Sequence, residues 1–410
     1  MAPSSPIPAA RRTERFHYAI RNVVAHARAL EERGRAVRYL NIGDPTLYGY
    51  APPPEIVEAL ARALRDRKHG YAPSEGLREA REAIARHMTT RRAARTEPSD
   101  VVVGAGASEA ADLLLSALVE PGDEVLTPVP SYPLYGAILA KLGAVERTYR
   151  LRPELDWGPD LDELASRIGP RTRAVVVIHP NNPTGAVWSR DVLASLLAVL
   201  AKCPNVVLIA DEVYADLAFD GPPPALAALA GDGVPVVTLD SFSKSYLVPG
   251  WRVGWLAFGR HPSLGAELRG AVRKLAEGRL CSPGPPQHAV AAGLDGPRTH
   301  LADVVSRMRA SAEHVAARMA RIPGVSCVPP RAAFYAMPRV PLRAGQTDER
   351  WVLDLLEATG NLLVHGSGFH MAPEDGFVRV VTLPSVAELD VVLDAIEGFV
   401  HRADAAGGGA

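Results

Sequence analysis

Only five of the 45 lysine and arginine residues are lysines, and Lys244 alone is set among small hydroxyls, in Ser241-Phe242-Ser243-Lys244. Residues 235–239 before it and 253–258 after it are apolar, β-branched runs that read as buried strands. Lys244 therefore occupies a short polar loop at the carboxyl end of a core strand, where α/β proteins put reacting groups. Desolvation disfavours an ammonium, and a neutral amine is the nucleophile that makes a Schiff base with an aldehyde. An ordinary loop lysine fits this stretch equally well when it is taken alone, so other residues must decide.

Asp211, in Asp211-Glu212-Val213-Tyr214, follows the apolar residues 206–210. A carboxylate there is partly buried and calls for a positive partner. It reads either as the N-cap of a following helix or as the counter-ion of a protonated heterocyclic nitrogen, with Tyr214 in reach of a phenolic ring oxygen. Asn182, in Asn181-Asn182-Pro183-Thr184-Gly185 after residues 174–178, is turn chemistry or an amide offered to the same oxygen. Gly104-Ala105-Gly106-Ala107-Ser108-Glu109 lies between residues 101–103 and an apolar helix, so a fresh helix N-terminus is available to a phosphate. Ser108 is otherwise a plain N-cap, and Glu109 breaks the G-x-G-x-x-G pattern. Tyr132, after residues 124–127, either stacks on a planar ring or is an exposed loop tyrosine. Arg252 adds a charged clamp for the phosphate. Taken together, these strand ends describe a site for a phosphorylated, aromatic, nitrogen-containing aldehyde, which is pyridoxal 5′-phosphate.

The elements that must carry these residues alternate. From residue 100 onward, short apolar runs at 101–103, 124–127, 174–178, 206–210, 236–239 and 253–258 are separated by helical segments. Strands apolar on both faces and alternating with helices predict an α/β fold with a mostly parallel, doubly wound sheet. After Cys281-Ser282-Pro283-Gly284-Pro285-Pro286 the pattern changes to a long helix near 300–321, then strands near 325–328, 334–340, 362–364 and 377–382, with helices near 350 and 390. This predicts a smaller α/β domain that the N-terminal segment joins in space. The organisation expected is a disordered extension at 1–14, an arm and small-domain segment at 15–50, the large domain at 51–298, the small domain at 299–403 and a disordered tail at 404–410. Within the arm, 15–33 reads as a helix and 37–42 as a strand.

The totals exclude other classes. The chain has 410 residues, 47% hydrophobic and 22% charged, with a formal net charge of −1, so nothing draws it to nucleic acid or to an anionic membrane. Cys203, Cys281 and Cys327 are odd in number and far apart, matching neither a disulfide framework nor a metal cluster. With no signal core and no run of about 18 apolar residues, a soluble, cytoplasmic protein without a metal is expected. A dehydrogenase is excluded because no G-x-G-x-x-G opens a βαβ unit.

The motifs Asn182-Pro183-Thr184-Gly185, Asp211-Glu212-Val213-Tyr214 and Ser241-Phe242-Ser243-Lys244 with Arg252 resemble, in order and spacing, the class I/II aminotransferases, which are fold-type I pyridoxal-phosphate enzymes. The resemblance covers roughly residues 15 to 400. Asn41-Ile42-Gly43-Asp44-Pro45, Arg279-Leu280-Cys281, residues 322–328 and Val380-Val381-Thr382-Leu383-Pro384 are most similar to bacterial alanine (glutamate–pyruvate) aminotransferases. The resemblance implies that Lys244 carries the cofactor and later shuttles protons, that Asp211 pairs with the pyridine nitrogen, and that Asn182 and Tyr214 bond the phenolic oxygen. It implies that Tyr132 stacks on the ring, and that Ala107, Ser108, Ser241 and Arg252 hold the phosphate together with Tyr71 from a second subunit. For the substrate, it gives the α-carboxylate to Arg379, backbone contact to Gly43 and a side-chain pocket shaped by Tyr18. The expected enzyme is a homodimer with shared sites that moves an amino group between an L-amino acid and a 2-oxo acid by ping-pong kinetics.

Leu247 and Ser385 stand where alanine aminotransferases carry arginine, and residues 365–370 also differ, so the amino donor and acceptor stay open. The alternative is γ-elimination, replacement or cyclisation on S-adenosylmethionine or a related amino acid. A cofactor-binding regulator is disfavoured, because the residues before Asn41 are too few for a DNA-binding domain.

Overall fold

The computed structural model describes residues 7–15 and 19–407. Its strands are β1 (Arg38–Tyr39), β2 (Val101–Ala105), β3 (Glu124–Val129), β4 (Val145–Arg152), β5 (Gly158–Pro159), β6 (Thr172–Ile178), β7 (Val207–Asp211), β8 (Val236–Ser241), β9 (Val253–Phe258), β10 (Tyr335–Ala336), β11 (Asn361–Leu362), β12 (Val364–His365) and β13 (Val378–Val381). Eight of these form one sheet in the order β2-β9-β8-β7-β6-β3-β4-β5. The neighbours β4, β3, β6, β7 and β8 run parallel, whereas β9 is antiparallel to both β2 and β8. Since β2 and β8 each oppose β9, they point the same way. The carboxyl ends of β2, β3, β6, β7 and β8 therefore lie along one edge, and β9 begins at that edge. The mostly parallel sheet is as expected.

Alternation along the strands divides the large core in two. Val176, Ile209 and Val237 turn to one face, against Leu114 and Leu139 of the helices Ala107–Leu118 and Leu134–Leu142. Val175, Val177, Leu208 and Ala210 turn to the other, against Leu193, Leu196 and Leu200 of helix Arg190–Leu200. Burial on both faces is why these strands are continuous apolar runs. Further along, Val101, Val103 and Trp255 pack on Ile84 and Met88 of helix Arg78–Thr90.

The small α/β unit forms around helix His300–Met319, whose Met308, Val315 and Met319 meet Leu389, Leu393 and Ile396 of the last helix. Antiparallel β10-β13-β12 completes it. The N-terminal segment joins it: β1 pairs with β11, and Val23, Ala27 and Leu30 pack on Leu356 and Leu362. Its core continues into the large unit through Tyr214, Leu217 and Leu247.

Several local expectations are corrected. β4 is absent from the strands the sequence predicts, because only Tyr149 and Leu151 of its residues are buried and its remaining positions are mostly charged. Residues 325–328 form no named strand, only the isolated bridge Ser326↔Arg339. The 37–42 strand contracts to β1. Within the termini expected to lack structure, Arg11–Arg15 forms a 3-10 helix, and the last helix, Val386–Gly407, runs on through an alanine-rich stretch with high helix propensity. Among the described residues no helix is long and apolar enough to cross a membrane, and no group of His, Cys, Asp and Glu is arranged to hold a metal.

Candidate active site

Loops that leave the shared strand edge converge on one cavity of about 530 Å³. Ala107 and Ser108 reach it from after β2, Tyr132 from after β3, Asn182 from after β6, Asp211 and Tyr214 from the end of β7, and Ser241 and Lys244 from the end of β8. Arg252 enters as well, because β9 runs antiparallel to β2 and β8 and starts at the edge where they stop. From the small unit come Gly43 and Arg379.

Asp211 is buried, and burial raises its carboxyl from 3.8 to about 6, although the Tyr135 hydroxyl donates to it at 2.7 Å and the Val213 amide at 3.4 Å. The positive partner expected for it does not come from the chain: among the described residues no side chain forms an ion pair with Asp211. The nearby Arg92 instead pairs with Glu212, at 2.9 Å in a buried contact. A desolvated acid on the cavity wall, supported only by neutral donors, suits a cationic ligand atom. Lys244 donates from Nζ to the Gly43 carbonyl at 3.2 Å, and Nζ lies 5.4 Å from the Phe334 ring centroid and 6.0 Å from that of Tyr214.

At the opposite end, Gly106 has φ +83°, and a Cβ there would lie 2.8 Å from the Arg252 Cζ. Backbone and guanidinium thus pack directly together. Arg252 donates to the carbonyls of Ala105 (2.9 Å) and Pro249 (2.8 Å), which holds it over the start of the 12-residue helix Ala107–Leu118. A helix N-terminus beside a fixed guanidinium is a cradle for a dianion such as a phosphate. The Ser241 hydroxyl accepts from the Ser243 amide at 3.3 Å and turns the chain toward Lys244. Anion cradle, unpaired acid and amine share one cavity, and this donor set fits pyridoxal phosphate.

On the small-unit side, Arg379 is 2% exposed. It donates to Asn182 Oδ1 at 3.2 Å and to the Asn41 carbonyl at 2.6 Å, between the rings of Tyr335 (4.5 Å) and Phe369 (4.8 Å). Asn182 Nδ2 donates to the Tyr214 hydroxyl at 3.5 Å, which lies 3.1 Å from the Tyr335 hydroxyl. Tyr335 and Tyr135 are residues that sequence reasoning missed. Both are buried, but nothing local in the sequence says that the Tyr335 hydroxyl faces the cavity or that the Tyr135 hydroxyl reaches Asp211.

Tyr71 is not brought to the cavity; it is 83% exposed. Tyr18 lies outside the described residues. Leu247 is fully buried in the small-unit core, and Ser385 forms a reciprocal pair with Glu388 at the start of the last helix. His365 Nδ1 bonds the Ser367 hydroxyl at 2.7 Å, and that hydroxyl donates to buried Asp348 at 2.8 Å. None of these three lines the cavity.

Comparison with known proteins adds to this geometry. The sequence matches the family "Aminotransferase class I and II" over residues 37–396. It is 35% identical over 403 residues to the glutamate–pyruvate aminotransferase AlaA of Escherichia coli K12, covering 97% of this chain and 98% of that protein. It is 36% identical over 391 residues to an alanine aminotransferase of Mycobacterium tuberculosis, covering 93% and 90%. In three dimensions it superposes on an alanine aminotransferase from Pyrococcus furiosus with a TM-score of 0.93 at 37% identity, over 96% of this chain and all of that one. These relatives favour amino transfer over γ-chemistry on S-adenosylmethionine. Both the cavity and the comparisons lead to the same conclusion: the chain belongs to the class I and II aminotransferases and is a pyridoxal-phosphate-dependent transaminase of fold type I.

Proposed function

We propose that this transaminase exchanges an amino group between an alanine- or glutamate-like L-amino acid and a 2-oxo acid, in a site that a homodimer completes. The carrying observation is the buried Arg379, held between two aromatic faces and bonded to Asn182 at the cavity wall. Its fork is preorganised for a carboxylate, and both amino and oxo acids carry one. The names of the relatives support alanine, glutamate and pyruvate as first candidates.

In this reading Ala107, Ser108, Ser241 and Arg252 bind the cofactor phosphate, and Tyr71 of the partner subunit joins them. Tyr132 covers the ring, Asp211 faces its nitrogen, and Asn182 with Tyr214 faces its phenolic oxygen. Lys244 carries the cofactor and, once displaced by substrate, its Nζ removes the proton from the substrate Cα. The Gly43 carbonyl, 3.2 Å away, holds that amine, and the Gly43 backbone lies along the substrate. Arg379 fixes the carboxylate so that the Cα proton points at Nζ. Tyr18 shapes the side-chain pocket. When bound, pyridoxal phosphate supplies an electron sink for the pair left behind by that proton. The carboxylate of Asp211 keeps the facing nitrogen cationic, which deepens the sink.

Mixing the loaded protein with single amino acids and following its visible absorbance tests the assignment. Alanine or glutamate should bleach the band within the turnover time, and pyruvate should restore it. Lys244→Ala should lose both the band and turnover. A panel in which only amino acids unrelated to alanine and glutamate bleach the band would reassign the substrate, and normal turnover by Lys244→Ala would remove Lys244 from its role. The dimer and a cytoplasmic setting belong to the same proposal; the exposed Tyr71 supports the first, and the three free cysteines support the second.

A further inference from the structure

The Tyr214 hydroxyl has one proton to give and two lone pairs to fill. Asn182 can reach it only with its amide NH₂, because its oxygen is taken by the Arg379 guanidinium, which has no acceptor. That amide fills one lone pair. The second neighbour is the Tyr335 hydroxyl at 3.1 Å. If Tyr335 donates, both lone pairs of Tyr214 are occupied and its own proton is left to point into the cavity.

Tyr335 has a second contact. It sits in β10 opposite Val381 of β13, and Arg379 lies two residues before Val381, on the same face of that strand. This diagonal brings the Arg379 guanidinium over the Tyr335 ring, 4.5 Å from its centroid. The ring is itself fixed. It is 3% exposed, it packs on Phe334 with centroids 4.7 Å apart, and the Gly43 backbone rests so closely on the pair that a Cβ there would lie 2.5 Å from Phe334 and 3.0 Å from Tyr335 Cε1.

We propose that Tyr335 is a positioning residue with two separable parts: its hydroxyl aims the Tyr214 proton into the cavity, and its ring holds Arg379 in place for a carboxylate. One side chain of the small unit thereby ties the substrate clamp to the phenol that faces the cofactor. This rests on the roles given to Tyr214 and Arg379 above.

The two parts come apart by substitution, and each has its own readout. The groups facing Tyr214 are Tyr132 from after β3, Asn182 from after β6, Lys244 from after β8, Tyr335 from β10 and Arg379 from β13. Of these only Tyr335 changes in the test. Tyr335→Phe keeps the ring and removes the hydroxyl; Tyr335→Leu removes both. Two quantities are measured on cofactor-loaded protein: the pH midpoint of the visible absorbance, and the Kd of propionate, a carboxylate that cannot react. Tyr335→Phe should move the midpoint up by roughly half a unit, because a phenolate-facing donor is lost, and should leave the propionate Kd within about twofold. Tyr335→Leu should move the midpoint similarly and weaken propionate by about tenfold.

An unmoved midpoint in Tyr335→Phe overturns the part given to the hydroxyl. Propionate binding unchanged in Tyr335→Leu, or weakened as much in Tyr335→Phe, overturns the part given to the ring. The underlying roles are checked separately in the parent protein. Loss of the visible band in Lys244→Ala and loss of propionate binding in Arg379→Ala test the site itself, so a failure there is distinguishable from a failure at Tyr335.

Discussion

A carboxyl raised to about 6 by burial, as that of Asp211 is, favours its protonated form in the fold. The stability that this gives is fully present below the ordinary value of 3.8 and is lost as pH rises through about 6. At neutral pH the cofactor-free protein therefore bears the cost of an ionised, desolvated acid, up to about 3 kcal/mol. Asp211→Asn removes the ionisation, and its amide oxygen still accepts from Tyr135. Without cofactor, Asp211→Asn should melt above the parent at about pH 8, and the gap should close toward about pH 4. With pyridoxal phosphate the order should reverse, because an amide cannot pair with a cationic nitrogen. Thermal melts at both pH values, with and without cofactor, check this; a gap of equal size at both would refute it. At this scale the sequence was legible where chemistry follows an apolar run. Asp211 after residues 206–210 and Lys244 after 235–239 stand out because strands of this type end in one place. Tyr135 and Tyr335 do not stand out, since the hydroxyl of a buried tyrosine finds its partner only through tertiary packing.

Elements are what bring the strand ends into one cavity. Six apolar runs were readable because both faces of each strand are buried, while β4 escaped notice because only Tyr149 and Leu151 face a core. The entry of Arg252 into the cavity could not be read locally either; it follows from the antiparallel sense of β9. Two outcomes test this scale. Gly106 joins β2 to helix Ala107–Leu118 with φ +83°, against the Arg252 guanidinium. Gly106→Ala should strain that turn and displace Arg252, weakening pyridoxal phosphate by about tenfold or more, while pyridoxal without its phosphate is affected little. Equal losses for both ligands would show that the cradle is not at this turn. Behind the same edge, the Arg92–Glu212 pair is buried on both sides, and Glu212 also accepts from the Leu226 amide at 2.7 Å. Arg92→Met leaves Glu212 uncompensated and should cost about 3–5 kcal/mol, whereas the double variant Arg92→Met, Glu212→Gln should recover a large part of it. Denaturant melts measure both, and equal losses for the single and double variants would mean that packing around Arg92, rather than the stranded charge, sets the cost.

For the molecule as a whole, the question is whether one chain makes a complete site. Ten of the residues given to cofactor or substrate line a single cavity together with Lys244, but Tyr71 is 83% exposed and does not. A phenol that acts on the phosphate from such a position must act on the cavity of another copy. Protomers of Lys244→Ala have no amine but an intact Tyr71, and protomers of Tyr71→Ala have the reverse. If the proposed homodimer forms, refolding them together gives mixed dimers in which one site combines the Lys244 of one protomer with the Tyr71 of the other, while the second site lacks both. Random assortment makes half of the dimers mixed and half of their sites whole, so an equal mixture should recover about a quarter of the parent activity. That must exceed the sum of the separately refolded variants, and the recovery should rise with protein concentration, because assembly of the mixed dimer is second order. If Tyr71 instead served the cavity of its own chain, no mixed dimer would contain a whole site beyond those already present, and mixing would give only the average of the two variants.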